Sequence, residues 1–299
     1  MNVQSTGAIL GATVAGIDLT EPLSERDFAS VVRALAKFGV LCFPQQSLSP
    51  AALKAFASRF GSLEINVANA YQEPGFPEVM ILSNKTVAGK AIGLADAGQD
   101  WHTDMSYART IAYTNILHGI EIPTRDGKPL GATVFADMRA AYDGLSAPIA
   151  SRIASLSATH DFNKFWEKMR REKGSARPPL TQAQRESRPP VSHPMVLQHP
   201  ISGRTVLYAN PGYVTHVDGL SDEESRALLE PLFEHQLQAR YQYAHQWSVG
   251  DVLMWDNLSV LHNAIPDYGP DEHRLIIRCQ VMADRVFAPD FLSASTVNA

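Results

Sequence analysis

The sequence predicts a mainly β fold with flanking helices. Three observations carry that expectation. Short apolar runs of strand length recur along the chain, helix-start signals are few and well separated, and strand-rich sequence lies on both sides of a polar, basic, proline-containing stretch at 161–194. No linker-like shift in composition divides the 299 residues, so one elaborated domain over 1–299 is expected, with 161–194 as an irregular insertion of the kind that forms lids or binding loops.

In chain order, the run from Ile9 to Ile17 reads as a strand. Ser24 ahead of Glu25, Arg26 and Asp27 is a helix start, followed by the apolar-rich stretch Phe28 to Leu35. Val40 to Phe43 is a short apolar strand. Ser49-Pro50 opens a second helix, whose Leu53, Phe56, Ala57 and Phe60 recur at helical spacing and suit core packing. Ser221-Asp222-Glu223-Glu224 carries a capping box and early acidic residues, ahead of Leu228, Leu229, Leu232 and Phe233. Strands return from Tyr241 through Val281, and the small, polar tail from Ser293 to Ala299 is expected to fray.

The hydrophobic fraction of 45% is ample for a core, and a net charge of −5 leaves no electrostatic footprint for nucleic acid. Partners are then small molecules or copies of the chain itself, a homo-oligomer. Cys42 and Cys279 lie in apolar strand-like runs, which fits buried reduced thiols in a cytoplasmic setting better than a disulfide framework. Ala8 to Ala15 is apolar but follows no basic residue, and no run approaches a membrane span, so neither export nor membrane insertion is expected.

The chemistry begins at Asp100-Trp101-His102-Thr103-Asp104-Met105. In an extended strand, residues two apart point the same way, so the imidazole of His102 and the carboxylate of Asp104 would converge as two thirds of a facial metal site. Of ten histidines, His262 is the best third ligand, because an apolar strand-like run from Gly250 leads to it and a turn-rich segment with Pro266, Gly269 and Pro270 follows. His160 and His216 lack that setting. Alone, His-x-Asp is a poor signal, and a cap, a salt bridge or a polar core histidine is the favoured reading. Downstream, His273 to Val281 reads as a strand with Arg274, Ile276, Arg278 and Gln280 on one face and Leu275, Ile277, Cys279 and Val281 on the other. The two arginines stand roughly 13 Å apart along such a strand. On their own, two such arginines fit a solvated outer face; facing inward beside a metal motif, they are costly unless each meets an anion, and the guanidinium fork suits carboxylate, sulfonate or phosphate.

Together these residues resemble the TauD/TfdA group of Fe(II)- and 2-oxoglutarate-dependent dioxygenases. The resemblance covers nearly the whole chain, from Gly7-Ala8 and Gly16-Ile17-Asp18-Leu19, through Phe38 to Phe43, Ser58-Arg59-Phe60-Gly61 and Gly131 to Asp143, to the arginine strand. It implies a double-stranded β-helix, a jelly-roll-like pair of sheets. It also implies His102, Asp104 and His262 as the catalytic iron ligands, Thr133 and Arg274 as partners of the distal carboxylate of 2-oxoglutarate, and Arg278 as the clamp for an anionic substrate group. A mobile lid is implied within 161–194, where Lys164, Lys168, Arg170, Arg171, Lys173 and Arg177 suit attraction of anionic ligands.

The implied reaction consumes O2, decarboxylates 2-oxoglutarate to succinate and hydroxylates a substrate carbon, with bond cleavage to follow where that carbon bears an ether oxygen, amine or sulfonate. Asp104 favours hydroxylation over halogenation, since related halogenases lack this carboxylate. Met105, Tyr107 and Phe165 are candidate apolar contacts for the substrate and could equally be core. Asn66 stands near where taurine-type relatives have a histidine, a departure that lowers taurine itself. The stretches Asp137 to Tyr142 and Met254 to Asn257 look closer to the aryloxyacetate-cleaving branch, so a carboxylate with an apolar or aromatic body is expected. The rival readings are a zinc-dependent hydrolase on the same residues and a non-catalytic binder of small anions.

Overall fold

The computed structural model describes residues 1–65, 71–172, 175 and 178–292; Asn66, Lys173, Arg177 and the tail from Ser293 to Ala299 lie outside the described residues. The architecture is mainly β with some helices. Ser24 caps the helix Glu25–Phe38 by accepting the Asp27 N–H. The helix stops at Gly39, whose φ of 71° only glycine adopts freely and whose N–H closes on the Leu35 carbonyl. Ser49 caps Pro50–Ser58 in the same way, with Pro50 in the first turn.

Eight strands form the large sheet, in the order Asn2–Ser5, Ala12–Ala15, Val40–Phe43, Val252–Asp256, Ala112–Glu121, Leu275–Met282, Phe76–Ser83 and Gln72–Glu73. The strand Ala12–Ala15 is shorter than the apolar run from Ile9 suggested, because Gly11 at φ 96° turns the chain back into a hairpin with Asn2–Ser5. The sheet's two faces do different work. Met254, Ile116, Ile277, Cys279 and Val281 pack against Phe28, Val31, Leu35, Leu53, Phe56 and Phe60 of the two helical segments. The opposite face presents Leu253, Trp255, Leu117 and Ile276 to Phe135 and Val260 of a three-stranded sheet, ordered Gln242–His245, Thr133–Asp137, Val260–Ala264. The alternation expected in the arginine strand is therefore real, and each register of side chains has its own layer to meet.

A second three-stranded sheet, Val191–Pro194, Ser157–His160 and Val214–Val217, carries the helix Asp222–Gln236. Ser221 and Glu224 form the reciprocal capping box there, and Leu228, Leu229 and Leu232 pack on Val206, Leu207 and Val217.

The 161–194 stretch is more regular than its composition suggested. Helices Phe162–Glu172 and Gln182–Glu186 precede the strand Val191–Pro194. Phe162, Phe165 and Met169 share one helical face and bury it with Leu180 and Tyr213, while the basic residues are spread around the remainder of the helix. Among the described residues no helix is long and apolar enough to cross a membrane, and both cysteines are free thiols.

Candidate active site

His102 and His262 are joined by their backbones. The His102 N–H donates to the His262 carbonyl at 3.2 Å and the His262 N–H donates back at 2.8 Å. The extended strand expected through His102 and Asp104 is not what brings them together: Asp100 and Met105 take positive φ values of 81° and 56°, and Asp104 sits in a turn. Thr103 anchors that turn by donating its hydroxyl to the Asn257 carbonyl at 2.7 Å. His102 Nε2 then stands 3.3 Å from Asp104 Oδ1, and His262 Nε2 stands 3.8 Å from Asp104 Oδ2. One donor atom from each of the three residues lies within 4.8 Å of the others, and all three residues are buried.

The protonation pattern suits a cation. A carbonyl only accepts, so the 2.8 Å contact from His102 Nδ1 to the Asp100 oxygen places the ring proton on Nδ1 and turns Nε2 toward Asp104. That nitrogen meets the carboxylate either as an imidazolium or with a cation between them. Burial, then the neighbouring His102, hold the His262 pKa well below its ordinary value against the pull of Asp104. Burial works to raise the Asp104 pKa, but the His102 hydrogen bond and the charges of His262 and Arg278 hold it far below the usual carboxylate range. Asn115 Nδ2 donates to Asp104 Oδ2 at 2.7 Å and Arg278 Nη1 lies 3.5 Å from the same oxygen. Two imidazoles and one carboxylate, open on one side to a cavity, fit a divalent first-row metal with free positions better than a closed structural site.

That cavity measures about 810 Å³, and Met105, Tyr107, Phe162, Phe165, Tyr213 and Arg278 are among the residues that line it. Phe165 packs on His102 with ring centroids 4.9 Å apart, and Tyr107 lies 4.7 Å from both Phe162 and Tyr213. Tyr107 also donates to Met105 Sδ at 3.0 Å, so the two candidate contacts are themselves in contact. Arg278 Nε is buried without a hydrogen-bond partner among the described residues.

Thr133 and Arg274 come together around Trp247. The indole N–H donates to Thr133 Oγ1 at 3.0 Å, leaving the threonine proton to be donated elsewhere, and the Arg274 guanidinium carbon lies 6.0 Å from the Trp247 ring centre. Arg274 sits just before its strand, 7% exposed, with Nε unpartnered among the described residues. Burial lowers its pKa, opposed by Tyr268, which hydrogen-bonds it and lines the cavity. A desolvated guanidinium and a hydroxyl with a proton to donate, both near Trp247, are groups suited to seat a carboxylate. Gly131 keeps that seat open: at φ 74°, an added Cβ there would stand 3.1 Å from Arg274 Nε. The rival histidines lie elsewhere, His160 against Ser106 Oγ at 3.0 Å and pulled down to about 3 by burial, His216 against Thr215.

With this geometry in place, comparison with known proteins decides the family. The family described as "Taurine catabolism dioxygenase TauD, TfdA family" matches residues 2–280. The chain belongs to the TauD/TfdA family. It is an oxidoreductase, a 2-oxoglutarate-dependent dioxygenase. It is 35% identical over 265 residues to an alpha-ketoglutarate-dependent 2,4-dichlorophenoxyacetate dioxygenase of Cupriavidus pinatubonensis, covering 85% of this chain and 88% of the relative. Identity is 30% over 276 residues to a pentalenolactone F synthase of Streptomyces arenae, covering 90% and 91%. The solved structure of a taurine dioxygenase from Burkholderia xenovorans matches with a TM-score of 0.76 at 29% identity, over 97% of this chain and 93% of that one. AAD-2 in complex with Mn(II) and N-oxalylglycine matches with a TM-score of 0.76 at 27% identity, over 94% and 96%. For a TauD/TfdA enzyme, 2-oxoglutarate and O2 are the implied cosubstrates.

Three contributors to the site of this dioxygenase carry no local sequence signal. Asn115 reaches Asp104 from the middle of an apolar strand. Arg188 lies over the rings of Tyr107 and Phe162, at 5.7 and 5.8 Å, and pairs with Glu64 at 3.2 Å. Gly212 is packed so closely that an added Cβ would stand 2.7 Å from His102 Cβ. Gly212→Ala is therefore expected to cost about 1–3 kcal/mol of stability through overpacking and to weaken metal binding by displacing His102. Thermal melts with and without Fe(II) read both effects, and an unchanged iron affinity would show that the neighbouring backbone yields instead.

Proposed function

We propose that this dioxygenase holds Fe(II) through His102, Asp104 and His262 and hydroxylates a small organic carboxylate with an apolar or aromatic body, on a double-stranded β-helix made by the two facing sheets. The observation that carries the substrate class is the aromatic cavity with the Arg278 guanidinium at its metal end. When bound, iron and 2-oxoglutarate together supply an oxidant derived from O2, with succinate and carbon dioxide as co-products. The chain's own residues do the rest. Thr133 and Arg274 receive the distal carboxylate of 2-oxoglutarate, and Arg278 orients the substrate's anionic group. Tyr107, Phe162, Phe165 and Tyr213 enclose its body and exclude water. The helix Phe162–Glu172 serves as a lid, pairing Lys168 with Asp100 beside the His102 ligand.

Relatives named for 2,4-dichlorophenoxyacetate and (S)-phenoxypropionate support a carboxylate. A Saccharomyces cerevisiae relative named for sulfonates, 29% identical over 289 residues, makes sulfonates the competing class. Anaerobic addition of Fe(II) and 2-oxoglutarate should develop a visible metal-to-ligand charge-transfer band. Its absence in folded, iron-loaded protein would overturn the iron reading in favour of a zinc hydrolase or an anion binder. A panel of carboxylates, sulfonates and sulfates, scored by stimulated succinate release, should give its strongest response with aryl or alicyclic carboxylates; a stronger response to sulfonates would overturn the class.

A further inference from the structure

Away from the iron-site candidates, three donors of different type converge from separate segments. Cys42 comes from the strand Val40–Phe43, His245 ends the strand Gln242–His245, and Asp251 occupies the turn into the strand Val252–Asp256. One ligand atom from each lies within 4.8 Å of the others, and His245 Nε2 is 3.2 Å from Asp251 Oδ2. Asp251 is 5% exposed. Its carboxylate meets the Ser248 N–H at 2.8 Å, the His245 ring and the Cys42 thiol, and no Lys or Arg among the described residues pairs with it. A carboxylate this buried is costly unless a cation meets it. Burial, reinforced by Asp251, raises the Cys42 thiol's pKa, so the sulfur keeps its proton until a stronger Lewis acid displaces it. The site is not sealed: Cys42 is half-buried, and Val249 in the adjoining turn is 65% exposed.

We propose that Cys42, His245 and Asp251 form a second metal site, for zinc-class divalent ions. Thiolate, imidazole and carboxylate are a donor set that magnesium and calcium avoid and that zinc or cobalt accepts, with water completing four-coordination. On binding, the S–H bond breaks, its electron pair stays on sulfur as the new metal–sulfur bond, and the proton leaves to solvent. Thiolate and carboxylate then balance the dication. The His102, Asp104 and His262 set contains no sulfur, so the two sites are spectroscopically distinct.

Cobalt(II) is the probe, added anaerobically to the full chain with a non-thiol reductant. Wild type should retain two cobalt ions per chain after desalting and show a near-ultraviolet sulfur-to-cobalt charge-transfer band. Cys42→Ser should retain one and lose the band, whereas His102→Ala should lose the other ion and keep the band. Wild type without the sulfur-to-cobalt band, or a band that survives Cys42→Ser, overturns the site. Should Cys42→Ser fold poorly, the unaltered protein supplies the second measurement: zinc should abolish alkylation of Cys42 and a chelator restore it. Alkylation at the same rate with and without zinc would overturn the proposal.

Discussion

Asp104→Ala is expected to abolish succinate formation by emptying the iron site. The carboxylate is the one anionic donor in a set otherwise made of two imidazoles, and it is fixed by Asn115 at 2.7 Å and Arg278 at 3.5 Å. Its loss removes a metal bond and leaves the Arg278 charge uncompensated to repel a dication. Changing a group that only hydrogen-bonds a metal ligand costs about 10- to 100-fold in metal affinity, so removing a ligand should cost at least on the order of a hundredfold. Iron content after desalting and succinate yield are the readouts, with near-ultraviolet circular dichroism to show that the core persists. Asp104→Asn discriminates further, since a neutral amide keeps the shape and loses the charge. Retention of iron by Asp104→Ala would mean that some other carboxylate holds the metal.

The second large effect separates Arg274, just before the strand Leu275–Met282, from Arg278 within it. Arg274→Ala should raise the KM for 2-oxoglutarate, because Arg274 is buried near Trp247, whose indole N–H holds Thr133, with Nε unpartnered among the described residues. Truncating one partner of a buried, hydrogen-bonded charge pair costs about 2–5 kcal/mol, which corresponds to roughly 30- to several-thousandfold in affinity. Arg278→Ala should act mainly on the primary substrate, leaving 2-oxoglutarate affinity far less changed. Iron content must be followed in parallel, because Arg278 also faces Asp104. Equal loss of 2-oxoglutarate affinity in the two variants would end this division of labour.

The parts legible in sequence are those where one local pattern meets one environment. The alternation from Leu275 to Met282 could be read because helices cover one face and the facing sheet covers the other. Ser24, Ser49 and Ser221 could be read because a cap is chemistry confined to four residues. The turn at Asp104 was not legible: its positive φ values fall on Asp100 and Met105 rather than on glycines. The helix Phe162–Glu172 was hidden because its buried face rests on three apolar residues, Phe162, Phe165 and Met169, in a strongly polar stretch. Gly212 and Arg188 matter only through residues distant in sequence, which no local pattern reports.

The backbone pairing of His102 with His262 gives the proposed iron a part as fastener as well as reagent. Two histidines held by reciprocal peptide hydrogen bonds arrive in register when the chain folds, so little ordering remains for the metal to impose. Occupancy then appears as added thermal resistance, growing as RT ln(1 + [L]/Kd) and reaching about 4 kcal/mol at a thousandfold excess over Kd. The melting temperature of this enzyme should climb with the logarithm of free Fe(II), giving a cell starved of iron a less durable protein as well as an idle one.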